Sequence, residues 1–264
     1  MRYLSIPVIA AVSTFAIAHV ASAADLPLAP PVTAPAYDWT GFYVGGNAGY
    51  SWGTTNINFS EAPAGLFGFG FLPCRFGCSI PSSIEPKGFI GGPQAGFNYQ
   101  TGMWVWGVEG DFAWRNPQTT LITVMDNTTF AVVNDTLTLR VKQESVGTVR
   151  GRLGVTQGAA SNWLMYVTGG LAYGKFDHSV TQFCNFFCNE TVTFSDTKTK
   201  AGWTLGGGVE VALNWNWSIG FEYLYMDFGT DVLSSAGNGD AIPATSVSFH
   251  DTSNVMRFKV NYKF

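Results

Sequence analysis

Glu109 and Asp111 stand two residues apart, Arg150 and Arg152 repeat that spacing with opposite charge, and Arg257 and Lys259 repeat it again. Glu210 and Glu222 complete a set of four acids and four bases. An interval of two puts both members of a pair on one side of a strand, so each pair can turn its charges toward a common space. Two chemistries suit such a set. One is a self-neutralising ion-pair network, which charge removed from water requires; the other is a charged path along which ions move. Counting up from short turns puts Glu109 and Arg150 at similar heights, Glu222 beside Arg257, and Glu210 near Glu222. Arg150 or Arg152 would then reach across and relieve the repulsion between those two glutamates.

The remaining reactive residue types are sparse. Cys74-x3-Cys78 and Cys184-x3-Cys188 form two short pairs. In an exported chain an even count suggests disulfides, with three connectivities open, and zinc competes because the spacing is within the usual ligand range. His178 lies beside Asp177 and Ser179, and His250 beside Asp251 with Ser248 and Ser253 close by. Adjacency in a Ser/Thr-rich stretch does not make a catalytic triad, which needs convergence in space, so no catalytic, metal or cofactor residue is assigned. Gly206-Gly207-Gly208 sits in an alternating segment without the strand-to-helix turn that would present amides to a phosphate.

The elements that carry the charges have period two. Apolar–polar alternation and turn signals predict eight strands, over 40–52, 88–100, 103–115, 143–156, 163–176, 201–214, 217–228 and 254–264. Each meets the 9 to 11 residues that a tilted strand needs to cross a bilayer. The connectors alternate in length: 100–102, 157–162 and 214–216 are short, whereas 53–87, 116–142, 177–200 and 229–253 are long. Short turns on one rim and long loops on the other are the plan of an outer-membrane barrel. Within 116–142, Leu121-Ile122-Thr123-Val124 and Phe130-Ala131-Val132-Val133 have the pattern of a hairpin standing above the membrane.

Alternation alone leaves open which phase faces out, and the make-up of the two phases decides it. One phase carries Phe42, Val44, Phe97, Tyr99, Trp104, Trp106, Val108, Phe112, Leu205, Val209, Phe221 and Tyr223. That is too much bulk for the inside of eight strands, which is only just wide enough for side chains to fill. The other phase holds Gly45, Asn47, Gly49, Gly92, Gln94, Gly96, Asn98 and all eight charges. A slip of one residue throughout would put those charges in lipid at a cost on the order of 10 kcal/mol. Trp52, Trp114, Trp163, Trp203 and Trp217 fall near strand ends, where an amphipathic ring suits the headgroup boundary.

Composition and the first residues agree with that setting. Hydrophobic residues make up 46% of the chain and charged residues 12%, about half the roughly 25% of ordinary soluble domains. Met1-Arg2, the apolar run from Leu4 and Ala21-Ser22-Ala23 fit a secretory signal over 1–23. Its removal takes away Arg2 and no acid, moving the formal charge from −4 to −5 and excluding nucleic acid as an expected partner. Residues 24–38, with Pro27, Pro30, Pro31 and Pro35, read as a periplasmic tether, and 39–264 as the barrel. Phe67, Phe69, Phe71 and Phe76, with Phe183, Phe186 and Phe187 around the second cysteine pair, are candidates for an exposed adhesive patch or for packing against one another.

Several segments resemble the alphaproteobacterial outer-membrane immunogenic proteins: Ala24-Asp25-Leu26-Pro27, Trp39-Thr40-Gly41-Phe42-Tyr43-Val44-Gly45-Gly46, Val167-Thr168-Gly169-Gly170-Leu171-Ala172-Tyr173 and Arg257-Phe258-Lys259-Val260-Asn261-Tyr262-Lys263-Phe264. These are small surface-antigen barrels, similar in plan to the OmpA transmembrane domain. The resemblance implies that Phe258, Tyr262 and Phe264 form the signal read by the barrel-assembly machinery, and it brings no catalytic or cofactor residues. The combined expectation is an all-β, eight-stranded antiparallel up-and-down transmembrane β-barrel in the outer membrane. Its expected partners are membrane lipid, the assembly machinery, and a host or surface partner met through the long loops. Its expected role is structural, in envelope integrity and surface interaction, with a small porin for ions or solutes as the alternative.

Overall fold

The computed structural model describes residues 36–61, 82–116, 118–126, 134–158, 160–184, 190–235 and 245–264. Ten strands occur among them: β1 (Gly41–Glu61), β2 (Ser83–Ile84), β3 (Lys87–Thr101), β4 (Trp104–Arg115), β5 (Gln118–Asp126), β6 (Asn134–Gln157), β7 (Trp163–Cys184), β8 (Glu190–Ala212), β9 (Trp217–Ser235) and β10 (Thr245–Lys263). Eight of them make the wall, in the order β10-β9-β8-β7-β6-β4-β3-β1, and β1 pairs back onto β10 to close the ring. Every pairing is antiparallel. Closure leaves no edge with unsatisfied amides in hydrocarbon, the condition for crossing a membrane with strands. The two extra strands are additions to this wall. β2 pairs with Thr55 and Asn56 of β1, and β5 runs along β6 from Gln118 opposite Lys142 to Asp126 opposite Asn134. The hairpin pattern in 116–142 thus becomes an extension of the wall: β4 stops opposite Ser145 of β6, and β5 resumes opposite Lys142.

The strands run further than the alternation read from the sequence. Within the expected long connectors 53–87, 116–142, 177–200 and 229–253, most of the described residues are strand, and β6 alone reaches 24 residues. What changes along each strand is the environment of its outer face. On β7 the outward residues Met165, Val167 and Leu171 are exposed aliphatics and Tyr173 closes the series; beyond it come Lys175, Asp177 and Ser179. The inward residues change the other way, from Thr168 and Gly170 to Ala172, Phe176 and Val180. β10 repeats this, with Phe258 and Met256 outward in the lower part and Thr252 and His250 above, while Arg257 and Lys259 inside give way to Phe249 and Val247. The lower half is inside-out and the upper half is an ordinary water-facing barrel. Strand limits drawn from the apolar-out phase stop where hydrocarbon stops, although the ladder continues.

Rings mark the lipid-facing zone, among them Phe42 against Phe97 at 4.7 Å, Phe221 against Phe258 at 5.2 Å and Trp217 against Tyr262 at 5.2 Å. Trp114, Trp163, Trp203 and Trp217 are exposed on the outer wall, as rings at a headgroup boundary should be. Trp39 behaves differently. It is buried, its amide donates to Gln100 Oε1 at 2.8 Å and its indole N–H to the Ser161 carbonyl at 2.9 Å. With Tyr37, Val105, Leu164, Tyr166 and Ala212 it forms an apolar floor at the short-turn end. Residues 1–35, which hold the expected signal peptide and most of the tether, lie outside the described residues. The last part of the expected tether packs onto the barrel: the Tyr37 amide donates to the Ala160 carbonyl at 2.7 Å, and Lys263 sits 4.3 Å from the Tyr37 ring.

The polarity inversion makes a positional prediction. Val167→Arg, in the middle of the lipid-facing zone, lowers stability by about 2–4 kcal/mol, whereas Ser179→Arg, on the same face of the same strand, changes it by less than about 1 kcal/mol. Reversible urea unfolding from lipid vesicles measures both.

Candidate functional site

The eight charged side chains meet in one layer of the lumen, brought there by register. Glu109 lies opposite Arg150 across β4 and β6, and Arg257 opposite Glu222 across β10 and β9. The contacts then cross between strands that are not neighbours. Arg150 Nη2 donates to Glu109 Oε1 at 2.6 Å and to Asp111 Oδ2 at 2.9 Å, and its Nη1 reaches Glu222 Oε1 on β9 at 3.1 Å. Arg257 forks onto Asp111, Nη1 to Oδ1 at 3.0 Å and Nη2 to Oδ2 at 3.1 Å, while its Nε donates to Glu222 Oε2 at 2.8 Å. Lys259 Nζ binds both oxygens of Glu109, at 2.8 and 2.7 Å. These side chains are at most 3% exposed, so each charge depends on its partners rather than on water.

Glu210 and Glu222 are served separately. Arg152 Nη2 donates to Glu210 Oε2 at 2.9 Å, and Ser218 Oγ and Asn261 Nδ2 donate to Glu210 Oε1 at 2.6 and 2.8 Å. Arg150, Arg257 and Lys259 surround Glu222. The opposing strand pairs Glu210 with Gly220 rather than with Glu222, which is how the two acids come to have different bases.

Two tyrosines and an amide chain complete the layer. The Tyr43 hydroxyl donates to Glu109 Oε2 at 2.6 Å and accepts from Arg152 at 2.9 Å; the Tyr166 hydroxyl donates to Glu222 Oε1 at 2.9 Å, with the Arg152 guanidinium 3.9 Å over its ring. Both rings lie across a narrow lumen, and glycine makes the room. A Cβ on Gly96 would come within 2.4 Å of the Tyr43 hydroxyl, and one on Gly208 within 2.7 Å of that of Tyr166. Asn47 donates to Gln94 at 3.1 Å and Gln94 to Asn261 at 2.5 Å, carrying the network to β1 and β3. All eight wall strands therefore contribute a group. The signal was present in the sequence as parity: Tyr43 shares its phase with Gly45 and Asn47.

A second polar layer lies above. Asp251 Oδ2 accepts from Lys200 Nζ at 2.8 Å and stands 3.4 Å from His178 Nε2, and Asp251 Oδ1 accepts from Thr55 at 2.7 Å. Burial alone would raise the Asp251 carboxyl; the contacts to His178 and Lys200 outweigh it and hold that group below the usual carboxylate range. His178 and His250, expected in loops, are on β7 and β10, and they face opposite sides of the wall. His178 is buried against the Phe249 ring, 4.5 Å away, and among the described residues no serine is hydrogen-bonded to either histidine. Cys74, Cys78 and Cys188 lie outside the described residues, and Cys184 ends β7. Phe67, Phe69, Phe71, Phe76, Phe186 and Phe187 also lie outside them. Phe258 on the outer side of β10 and Phe264 directly after the strand are strongly exposed, and Tyr262 is packed between Trp217 and Phe264.

This closed ladder with an outward apolar belt accompanies a match of residues 8–264 to the model described as outer membrane protein beta-barrel domain. The chain belongs to that family. It is an outer-membrane protein, and its Brucella relatives are named as outer-membrane immunogenic proteins. The 31 kDa outer-membrane immunogenic protein of Brucella melitensis is 36% identical over 98% of this chain and 97% of its own length. The 25 kDa outer-membrane immunogenic protein of Brucella abortus is 28% identical over the full length of both chains. The 22 kDa outer membrane protein of Rhizobium leguminosarum is 31% identical over 74% of this chain and 66% of its own. Among solved structures, OprG from Pseudomonas aeruginosa overlays with a TM-score of 0.47 at 13% identity, covering 87% of this chain and 99% of that one, too loose a match to carry detail. The alphaproteobacterial resemblance read from the sequence motifs agrees with these relatives.

In this barrel Glu222→Gln leaves three bases sharing one acid fewer and lowers stability by about 3–5 kcal/mol. Glu144→Gln on the outer wall, where Lys142 and Lys175 are the partners, leaves the unfolding midpoint unchanged. Paired urea titrations of the two variants in detergent check the contrast.

Proposed function

We propose that the protein is a closed structural barrel of the outer membrane that displays its long-loop end at the cell surface and conducts no ions. The observation that supports this is the charge layer: four acids and four bases, each within hydrogen-bonding distance of an opposite charge and none more than 3% exposed. A conducting path needs water or vacant ligands at its narrowest level. Here the floor of Tyr37 and Trp39 below, and the apolar clusters around Phe176 and Phe249 above, stack further filled layers on the same axis. The small-porin alternative requires those layers to move together.

The name outer-membrane immunogenic protein, carried by the Brucella relatives, supports surface display and contact with a host or other surface through the long loops; the closed, charge-filled barrel supports a structural role in envelope integrity. Short turns then lie in the periplasm, as in outer-membrane barrels generally. A catalytic role finds no support in the buried, Phe-packed His178 or in the outward His250. Membrane lipid is the partner of the exposed aromatic and aliphatic belt. The aromatics Phe258 and Tyr262 of β10, with Phe264 directly after it, form the assembly signal; β10 closes the ring on β1, and the Phe264 amide donates to the Phe42 carbonyl at 3.1 Å.

Planar-bilayer recording on the purified protein tests the closed state. The expected record is a flat baseline, and large, stable, reproducible conductance steps would favour the porin. Phe264→Ala is expected to reduce the heat-modifiable, folded fraction in outer membranes several-fold without changing its synthesis; equal folded amounts would remove the residue from the signal.

A further inference from the structure

Arg115 is the one lumenal cation among the described residues that the acids do not balance. It ends β4 on the inward face, is buried, lies opposite Ile90 of β3 and follows Ala113 on the same face, within the apolar layer that also holds Val146, Phe176 and Val255. Its two terminal nitrogens donate to neutral groups, Nη1 to Gln143 Oε1 and Nη2 to Ser51 Oγ at 2.6 Å. The acids of the layer below are matched one for one by Arg150, Arg152, Arg257 and Lys259, and Asp251 above is matched by Lys200. Among the described residues no carboxylate lies within ion-pair distance of Arg115. Among the buried polar atoms without partners are Arg115 Nε and the amide nitrogen Nε2 of the Gln143 that it contacts.

We propose that Arg115 and the Gln143 amide hold a compact monovalent anion of the halide class inside the barrel. A guanidinium surrounded by apolar side chains carries a desolvation cost of several kcal/mol that neutral acceptors do not offset. Water could meet the unpaired donors, but it cannot meet the charge. Two of the unpaired atoms are N–H donors with no acceptor capacity, so the missing group is an acceptor, and one unit of negative charge brings the lumen to neutrality. A dianion would reverse the imbalance in the same apolar layer. The apolar cluster of Leu139, Val180, Val247 and Phe249 covers the site from above, and the ion-pair layer closes it from below. The anion is therefore taken up as the barrel folds and exchanges slowly afterwards.

The test refolds the full chain from urea into detergent in bromide and records anomalous diffraction at the bromine edge. The expected result is a peak within hydrogen-bonding reach of Arg115 Nε and Gln143 Nε2. No peak there, or bromide confined to surface lysines as an adventitious ion only, overturns the proposal. A solution measurement runs beside it: urea unfolding in chloride–gluconate mixtures at constant ionic strength. For the wild type, a tenfold rise in chloride raises the folding constant by up to about tenfold, and Arg115→Met removes that dependence while relieving the buried charge. If Arg115→Met does not fold, Gln143→Ala is expected to weaken the dependence in its place. The same chloride response in wild type and variants overturns the assignment.

Discussion

An eight-stranded barrel has no room for water around a charge at its centre, so every lumenal charge needs an opposite charge within reach. That constraint organises the lower half of this protein. Glu109, Asp111, Glu210 and Glu222 are distributed over β4, β8 and β9, and Arg150, Arg152, Arg257 and Lys259 over β6 and β10. Neutrality is reached only when those strands take their positions in the ring. The bidentate Arg257–Asp111 contact joins β10 to β4 across the lumen, and the Arg150–Glu222 contact joins β6 to β9. A shift of any of these strands by one residue would send its charges to the lipid side and strand their partners inside. Hydrophobic belt and ionic core therefore specify the same register from opposite faces of the wall.

The second organising feature is the change of solvent along the strands. Lipid surrounds the lower wall and rewards apolar residues outside; above the aromatic boundary water surrounds it, and the same period-two ladder carries polar residues outside and Phe176, Val180, Phe249 and Val247 inside. The upper barrel is held by an ordinary hydrophobic core, which is why it can continue as sheet well beyond the bilayer. Arg115 sits where the two regimes meet. It belongs to the charged logic of the lower half while its neighbours belong to the apolar logic of the upper half.

Much of this was legible from parity. The phase shared by Glu109, Asp111, Arg150, Arg152, Arg257 and Lys259 pointed inward because the other phase was too bulky to fit, and the pairings of Glu109 with Arg150 and of Glu222 with Arg257 followed from counting between short turns. Parity could also have found Tyr43 and Tyr166, whose hydroxyls complete the layer, but an aromatic in the polar phase reads as noise until Gly96 and Gly208 are seen to make space for it. The separate partners of Glu210 and Glu222 depend on side-chain reach across the lumen, which spacing along the chain does not encode. The upper strands were hidden for a physical reason: a reading tuned to apolar-out alternation ends where the outer solvent becomes water. The burial of Tyr37 against the barrel floor was hidden by four prolines just before it, which dominate the composition of that stretch.

The central claim is that charges on distant strands hold one another across a dry lumen, and a double-mutant cycle on Asp111 and Arg257 tests it most directly. Asp111→Asn, Arg257→Met and the double variant are unfolded reversibly from lipid vesicles and compared with the wild type. The account predicts a coupling free energy on the order of 1–3 kcal/mol, with the double variant less destabilised than the sum of the singles. Effects that add to within about 0.5 kcal/mol would show that β4 and β10 do not interact through these side chains, and the ion-pair layer could not be what sets the register of the barrel.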